Sequence, residues 1–495
     1  MKRRAFILGG TAAAAGVGLI WSRSGGYSLA NLNDRPNLQF PPLIDATSSR
    51  RLELNAISGQ TRFGGNRVST TIGYNQSYLG PVIRLAEGET EISVANSLEQ
   101  DITAHWHGLV MRGELDGGPH QAVSSGDVWK PVLEIDQSPL TAWFHTHGLH
   151  RTAIDVYAGL AGGLIVSDGL DDERGLPSTY GEDDLYLVIQ DRAFAEDGRL
   201  VYSNDMMSLM HGFTADTMVV NGQVGAVTRI PKGIVRLRLL NGSNARIYRL
   251  SFSDGRGFQL IATDGGYLDQ AKNLSELRLA PGERAEILVD FGDQNSVALV
   301  SKKDLNSGPG GMMGRFQGMA SDIIGGNFEV MAFAPNGKDA RITSSPAELD
   351  GIMPDLTNAG VGVEREFDLV MGMMGGRGIG MGGGVMGGMS INGRPFDHNR
   401  IDFMAKQGET EKWTVRSTML AHPFHIHGAS FQVVSENGGA PRPENEGWKD
   451  TVLVETEVEL LVRFDKKASE DAPFMYHCHI LEHEDGGMMG QFTVS

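Results

Sequence analysis

The sequence predicts an all-β protein built as three β-sandwich units in series, and three observations carry that reading. A chain of 495 residues, at about 100–200 residues per domain, has room for roughly three domains. Short alternating runs such as Thr90-Glu91-Ile92-Ser93-Val94, Val235-Arg236-Leu237-Arg238-Leu239 and Glu459-Leu460-Leu461-Val462-Arg463-Phe464 read as strands with one buried face. Gly, Pro and Asn punctuate them, and no long helical period competes. The third observation is an internal repeat. Gly88-Glu89-Thr90 is followed, seventeen residues after its glycine, by His105-Trp106-His107-Gly108. Gly408-Glu409-Thr410 is followed at the same distance by His425-Ile426-His427-Gly428. Lys232-Gly233-Ile234-Val235 opens a similar stretch that reaches Asn244-Ala245-Arg246-Ile247-Tyr248 without a histidine.

Composition narrows the function. With 40% hydrophobic and 21% charged residues, the chain can bury ample core. A net charge of −18 argues against nucleic acid as a partner, because phosphate contact needs a basic face. The single cysteine rules out an internal disulfide. No run of about 18 apolar residues follows the N-terminus, which argues against a multi-pass membrane protein.

Along the chain, Lys2-Arg3-Arg4-Ala5-Phe6-Ile7-Leu8 and the mildly apolar stretch from Gly9 to Ile20 resemble a twin-arginine export signal rather than a membrane anchor. Ser28-Leu29-Ala30 offers a cleavage site. Residues 1–30 are therefore expected to be a leader read by the twin-arginine machinery, which carries folded proteins, and the mature chain is expected in the periplasm. The sandwich units are expected over 31–170, 171–345 and 346–495, with histidine motifs in the outer two. Within the third, Met371 to Met389 comprises ten Gly, six Met, Arg377, Ile379 and Val385. Such a segment cannot form a packed core and reads as a loop or linker.

Four His-x-His pairs occur: His105/His107, His145/His147, His425/His427 and His477/His479. Random placement of 14 histidines would give about 0.4 such pairs, so accident does not account for them. On a strand, residues i and i+2 share a face about 7 Å apart, so two such imidazoles can reach different ions of one compact cluster. Within His477-Cys478-His479, alternation sends the cysteine to the opposite face. Its thiolate would serve one metal while the flanking histidines serve another group. His483 and Met488 follow, and His422 faces away from His425 and His427. A His₂Cys set with a weak axial Met defines a blue-copper electron-transfer site.

His105-Trp106-His107-Gly108, His145-Thr146-His147-Gly148, His422-Pro423-Phe424-His425-Ile426-His427-Gly428 and His477-Cys478-His479-Ile480-Leu481-Glu482-His483 with Met488 resemble the four copper-binding motifs of the multicopper oxidases. The resemblance spans essentially the whole chain after residue 30. It implies three cupredoxin-like Greek-key β-sandwich domains, a monomer and four copper ions. By position, it implies His422, Cys478, His483 and Met488 at a type 1 copper and His105 and His425 at a type 2 copper. His107, His145 and His479 would hold one type 3 copper, and His147, His427 and His477 the other. Electrons from an outside donor would pass through Cys478 to the cluster and reduce O₂ to water, with Asp116 and Glu484 relaying protons. His120, His150, His211 and His398 are left over, each read as an ordinary surface or core histidine.

The donor is read from methionine. Thioethers select Cu(I), and Met371, Met373, Met374, Met381, Met386 and Met389 are candidate substrate ligands. Met312, Met313 and Met319 form a smaller group, and Met206, Met207, Met210 and His211 another. The pattern resembles periplasmic cuprous oxidases, which imply a role in copper tolerance. Those enzymes tend to carry an acid before the third motif, where this chain has Thr418-Met419-Leu420-Ala421. A general laccase acting on phenols, an Fe(II) oxidase and a non-catalytic copper-binding protein are the alternatives. A structural envelope protein on the same fold is disfavoured, because that branch has lost the ligands kept here.

Overall fold

The structure, a computed structural model, describes residue 29 and residues 31–495 except 305–326, 347, 350, 352–354, 373–387, 418 and the side chain of Met207. The expected leader thus lies outside the described residues apart from Leu29.

Among the described residues, strands dominate and form six sheets, arranged two by two along the chain. In the first third, a sheet ordered Leu43–Asp45, Val82–Leu85, Ala161–Val166, Leu140–His145 partners one built on Arg67–Tyr74, Arg51–Gly64, Gly88–Asn96 and Val128–Trp129. Leu54, Ile92, Val94, Trp106, Phe144 and Leu164 belong to the core there. In the middle third, Val235, Leu237, Leu239, Phe252, Phe291 and Phe333 belong to one core. In the last third, Trp413, Phe424, Phe431, Val462 and Phe492 do the same.

The repeat has a structural cause. Each third contains a long strand paired in parallel with the strand that the repeat opens. These pairs are Arg51–Gly64 with Gly88–Asn96, Asp184–Phe194 with Ile234–Asn241, and Val361–Met371 with Thr410–Ser417. The repeat glycines Gly88, Gly233 and Gly408 have φ of +106°, +136° and +78°. Only glycine adopts that region without strain, so the turn into each paired strand dictates the residue.

One strand departs from expectation. Ile234–Asn241 is buried along its whole length rather than on one face. Its Arg236 and Arg238 are enclosed with Glu286 and Asp184, with Arg238 Nε donating to Asp184 Oδ1 at 2.7 Å. Thr141, from the first third, donates to Glu286 Oε1 at 2.6 Å. The polar face is covered by the neighbouring unit, and its charges are neutralised in place.

The thirds pack directly on one another. Trp143, Tyr186, Val188, Leu240 and Leu481 make one mixed cluster, and Ile247, Ala280, Ala421 and Leu453 join the middle to the last. Three short helices gather near the last third's functional strand: α1 (Thr152–Ala158), α2 (Met206–His211) and α3 (Leu481–Asp485). α3 touches both others.

Candidate metal centre

The four His-x-His stretches meet by strand pairing. His105 and His145 face each other in an antiparallel bridge, with His105 N–H donating to His145 O at 2.8 Å. In the last third, His422–Ile426 pairs with Phe474–Cys478 so that His425 lies opposite His477. The first and last thirds then press these two ledges together. His107, His145 and His479 converge as one triad, and His147, His427 and His477 as another. His105 and His425 meet beside them with His107, and in each triad the ligand atoms lie within 4.8 Å of one another. His147 Nε2 and His427 Nε2 each stand 3.2 Å from His477 Nε2. His105 stacks on His427 at 3.9 Å and His107 on His425 at 3.8 Å. All eight side chains are at most 2% exposed.

In seven of the eight rings the outward nitrogen is tied to an acceptor, whereas His479 has no hydrogen-bond partner on either nitrogen. His105 Nδ1 is 3.0 Å from Asp116 O, His145 Nδ1 2.8 Å from Thr146 O, His425 Nδ1 2.8 Å from Asp450 O, and His477 Nδ1 3.0 Å from Cys478 O. An outward N–H donated to a carbonyl leaves the lone pair on the inward nitrogen. Inward Nε2 of His105, His145 and His425 and Nδ1 of His107 are buried without a hydrogen-bond partner in the protein, while Nε2 of His147 and His427 face Nε2 of His477. Burial first, and neighbouring imidazoles second, hold His145, His147, His427 and His479 well below the ordinary histidine pKa. Neutral, inward-facing and orphaned imidazoles are the donor set a transition-metal cluster requires.

A second pocket lies on the other face of the same strand. Cys478 Sγ is 3.4 Å from His422 Nδ1 and 3.7 Å from His483 Nδ1, and the two nitrogens are 3.2 Å apart. Nitrogens about 2.0 Å and a sulfur about 2.3 Å from one ion, in a plane, would stand about 3.5–3.8 Å apart, so the triangle fits a single trigonal ion. Burial pushes the Cys478 thiol up, and a bound cation is what would ionise it. Met488 is fully buried in the same core, its carbonyl accepting from Cys478 N–H at 3.0 Å. α3, which carries His483, is anchored to the middle third through buried Glu482. That carboxylate accepts from Phe213 N–H at 3.0 Å and from Asn244 Nδ2 at 2.8 Å.

Two carboxyls flank the histidine cluster. Asp116 Oδ2 is 2.7 Å from His427 Nδ1 and 3.4 Å from His105 Nδ1, while Oδ1 is buried without a partner. Gly117 follows at φ +78°, where a Cβ would lie 1.9 Å from Ala104 O; the tight turn therefore belongs to the site. Glu484 lies 3.3 Å from both His147 Nδ1 and His477 Nδ1, and burial, then Asp485, raises its carboxyl well above the ordinary range.

The sequence reading missed Asp450, Thr451 and Arg284. Asp450 Oδ1 is 3.0 Å from His107 Nε2, so His107 turns its Nδ1 inward. Arg284, in the middle third, which supplies no histidine to the cluster, clamps Asp450 with Nη1 to Oδ1 at 2.7 Å and Nη2 to Oδ2 at 2.5 Å. Asp450 heads the apolar strand Thr451–Val454, and an acid there was the available signal. Of the candidate substrate methionines, Met371 is buried in the third core and pairs across a ladder with Met389. Met389 Cγ lies 3.1 Å from where a Gly486 Cβ would stand, between His483 and Met488. Met373, Met374, Met381 and Met386 lie outside the described residues, as do Met312, Met313 and Met319.

Comparison with known proteins gives the family of the chain. Two family models described as multicopper oxidase match residues 56–171 and 366–495. The chain is 34% identical over 457 residues to a multicopper oxidase of Staphylococcus haemolyticus, covering 91% of this chain and 90% of that one. It is 35% identical over 471 residues to the cell division protein FtsP of Xenorhabdus nematophila, covering 94% of each. A solved laccase-like multicopper oxidase, CueO from Ochrobactrum sp., superposes with a TM-score of 0.82 at 38% identity, covering 92% of this chain and all of that one. With cupredoxin-like sandwiches, buried neutral imidazoles and a cysteine–histidine pocket in one molecule, this chain is a copper-using oxidoreductase that belongs to the multicopper oxidase family.

Proposed function

We propose that this chain is a periplasmic oxidase, exported by the twin-arginine route, that couples four one-electron oxidations to the reduction of O₂ to water. Its preferred donor is Cu(I), with phenols as secondary donors, and its role is in copper tolerance. The carrying observation is the run His477-Cys478-His479, in which one residue enters the thiolate pocket and its two neighbours enter different histidine triads. On this reading His422, Cys478, His483 and Met488 hold a type 1 ion and His105 and His425 a type 2 ion. His107, His145 and His479 hold one type 3 ion, and His147, His427 and His477 the other. Four copper ions so held would supply the one-electron oxidation and the four-electron chemistry of O₂. Cys478 and its peptide links give a covalent path between the pockets. Asp116, whose Oδ1 is buried without a partner beside the cluster, and Glu484, which holds a proton between His147 and His477, are the two relay carboxyls.

The cuprous preference is supported by placement. Met389, at the base of the Met/Gly segment, packs against the loop between His483 and Met488. Met210 packs on the core that contains Cys478, and α2 lies against α3. Relatives bearing the name cell division protein share the fold, but the complete donor set here favours oxidation over a role resting on shape alone.

The test is O₂ uptake by the copper-loaded protein with Cu(I) against a phenolic donor, repeated after replacing 373–387 by a short turn. That deletion spares the Met371–Met389 ladder pair. Fast Cu(I) turnover that drops on excision establishes the cuprous reading. Phenol turnover far above Cu(I), unchanged by excision, makes the protein a general laccase.

A further inference from the structure

The strand that sets His425 opposite His477 on one side sets it opposite Thr451 on the other. Thr451 opens the strand Thr451–Val454, whose Val452 and Val454 belong to the core of the last third. Alternation therefore turns Thr451 to the other face, beside its cross-strand partner His425, where it is fully buried. The first third supplies a second neighbour, because His107 stacks on His425 with ring centres 3.8 Å apart and planes 13° from parallel. The Thr451 hydroxyl lies against one edge of that stack, 3.1 Å from His425 Nδ1 and 3.3 Å from His107 Nε2. The middle third holds the backbone in place, with Thr451 N–H donating to Asp264 Oδ2 at 3.3 Å.

The single proton of the hydroxyl is committed elsewhere. Thr451 O–H donates to Asp450 Oδ1 at 2.9 Å, and a carboxylate clamped by Arg284 only accepts. The hydroxyl thus presents lone pairs to both imidazoles, which is compatible only with an N–H on each facing nitrogen. The opposite nitrogens, His107 Nδ1 and His425 Nε2, keep their lone pairs, and both are buried without a partner. Asp450 supports the same rings through two separate atoms, Oδ1 for His107 at 3.0 Å and the carbonyl for His425 at 2.8 Å. Thr451 Oγ1 is one acceptor shared by both. A β-branched side chain is restricted at χ1, which helps to keep that oxygen where the two rings meet.

We propose that Thr451 is a positioning residue for two metal ions at once, its hydroxyl fixing the tautomer and tilt of His425 and His107 together. It would hold a type 2 ligand of the last third and a type 3 ligand of the first in one common geometry. The inference rests on the assignment of these two histidines to different copper ions. Thr451→Val keeps the shape of the side chain but sets a methyl group, which cannot accept, against both ring nitrogens. Thr451→Ala removes the acceptor without crowding, and Thr451→Ser keeps it.

The experiment loads the full chain and these three variants with copper. It reads copper retained against a competing chelator, the EPR spectrum of the type 2 ion, and thermal unfolding without copper. Thr451→Val and Thr451→Ala should hold cluster copper about tenfold more weakly and shift the type 2 hyperfine splitting, while blue absorbance from the Cys478 pocket persists. Thr451→Ser should restore both properties. Wild-type retention and EPR in Thr451→Ala overturn the role, and so does a loss confined to Thr451→Val, which marks crowding alone. A loss in Thr451→Ser equal to that in Thr451→Ala also overturns it, because the hydroxyl is then without effect. Unfolding without copper exposes any variant that fails by misfolding, and Thr451→Ala keeps the test open where Thr451→Val folds poorly. A wild type that takes copper at Cys478 but none at the histidines would instead sink the assignment of ions beneath the inference.

Discussion

At the scale of single residues, the metal centre depends on side chains that never touch a metal. Asp450 accepts from His107 and is held by Arg284, all three fully or nearly fully buried. Removing one partner of a buried ion pair leaves the other charge uncompensated, at a cost of about 3–5 kcal/mol. Asp450→Asn should therefore lower unfolding stability on that scale and reduce the copper content of the histidine cluster while sparing the thiolate pocket. Denaturation and metal analysis read the two effects separately, and Arg284→Gln should reproduce both. Asp116→Asn differs in kind. An amide oxygen can still accept from His427 Nδ1, so blue absorbance should persist, whereas most O₂ turnover should vanish because the amide cannot hold and release a proton at Oδ1. Wild-type turnover in that variant would remove Asp116 from the relay.

At the scale of elements, periodicity was legible and coverage was not. Alternation in Thr90–Val94 correctly marks one buried face, with Thr90, Ile92 and Val94 inside. The same alternation in Val235–Leu239 misleads, because the arginines that should face solvent lie under a neighbouring unit. Motif spacing identified the histidines that converge, since i, i+2 geometry is local. It could not identify Asp450 or Arg284, whose contacts span 343 and 166 residues. A turn in the middle third makes the point experimentally. Gly282 has φ +84°, and a Cβ there would lie 2.8 Å from His479 Cδ2, under any real contact distance. Gly282→Ala, in a unit without one cluster histidine, should displace that imidazole. The cluster should lose copper while the absorbance of the thiolate pocket changes little; unchanged copper content would show that His479 has room to retreat.

At the scale of the whole molecule, closing two histidine ledges inside an interface changes how the protein exchanges protons with copper. Burial lowers the pKa of His107, His145, His147, His427, His477, His479 and His483 well below the ordinary value, and that of His422 to about 3. At pH 6 an ordinary imidazole with pKa about 6.5 is mostly protonated, so eight free histidines would release roughly six protons on binding metal. In the folded copper-free protein these eight already lack them, because a depressed histidine pKa means the proton is lost at a pH far below 6. The Cys478 thiol shifts the other way, keeps its proton, and should surrender it to solvent when copper enters. Calorimetric titration of the copper-free fold at pH 6, in buffers of different ionisation enthalpy, should therefore detect Cys478's proton and almost nothing from the eight histidines. Release approaching six protons would mean that the empty interface admits water and opens. Small release means that folding prepays the deprotonation of the histidines, so copper affinity of the two histidine triads should hold nearly level from pH 7 toward pH 5, while that of the Cys478 pocket should fall about tenfold per pH unit because its thiol must lose a proton.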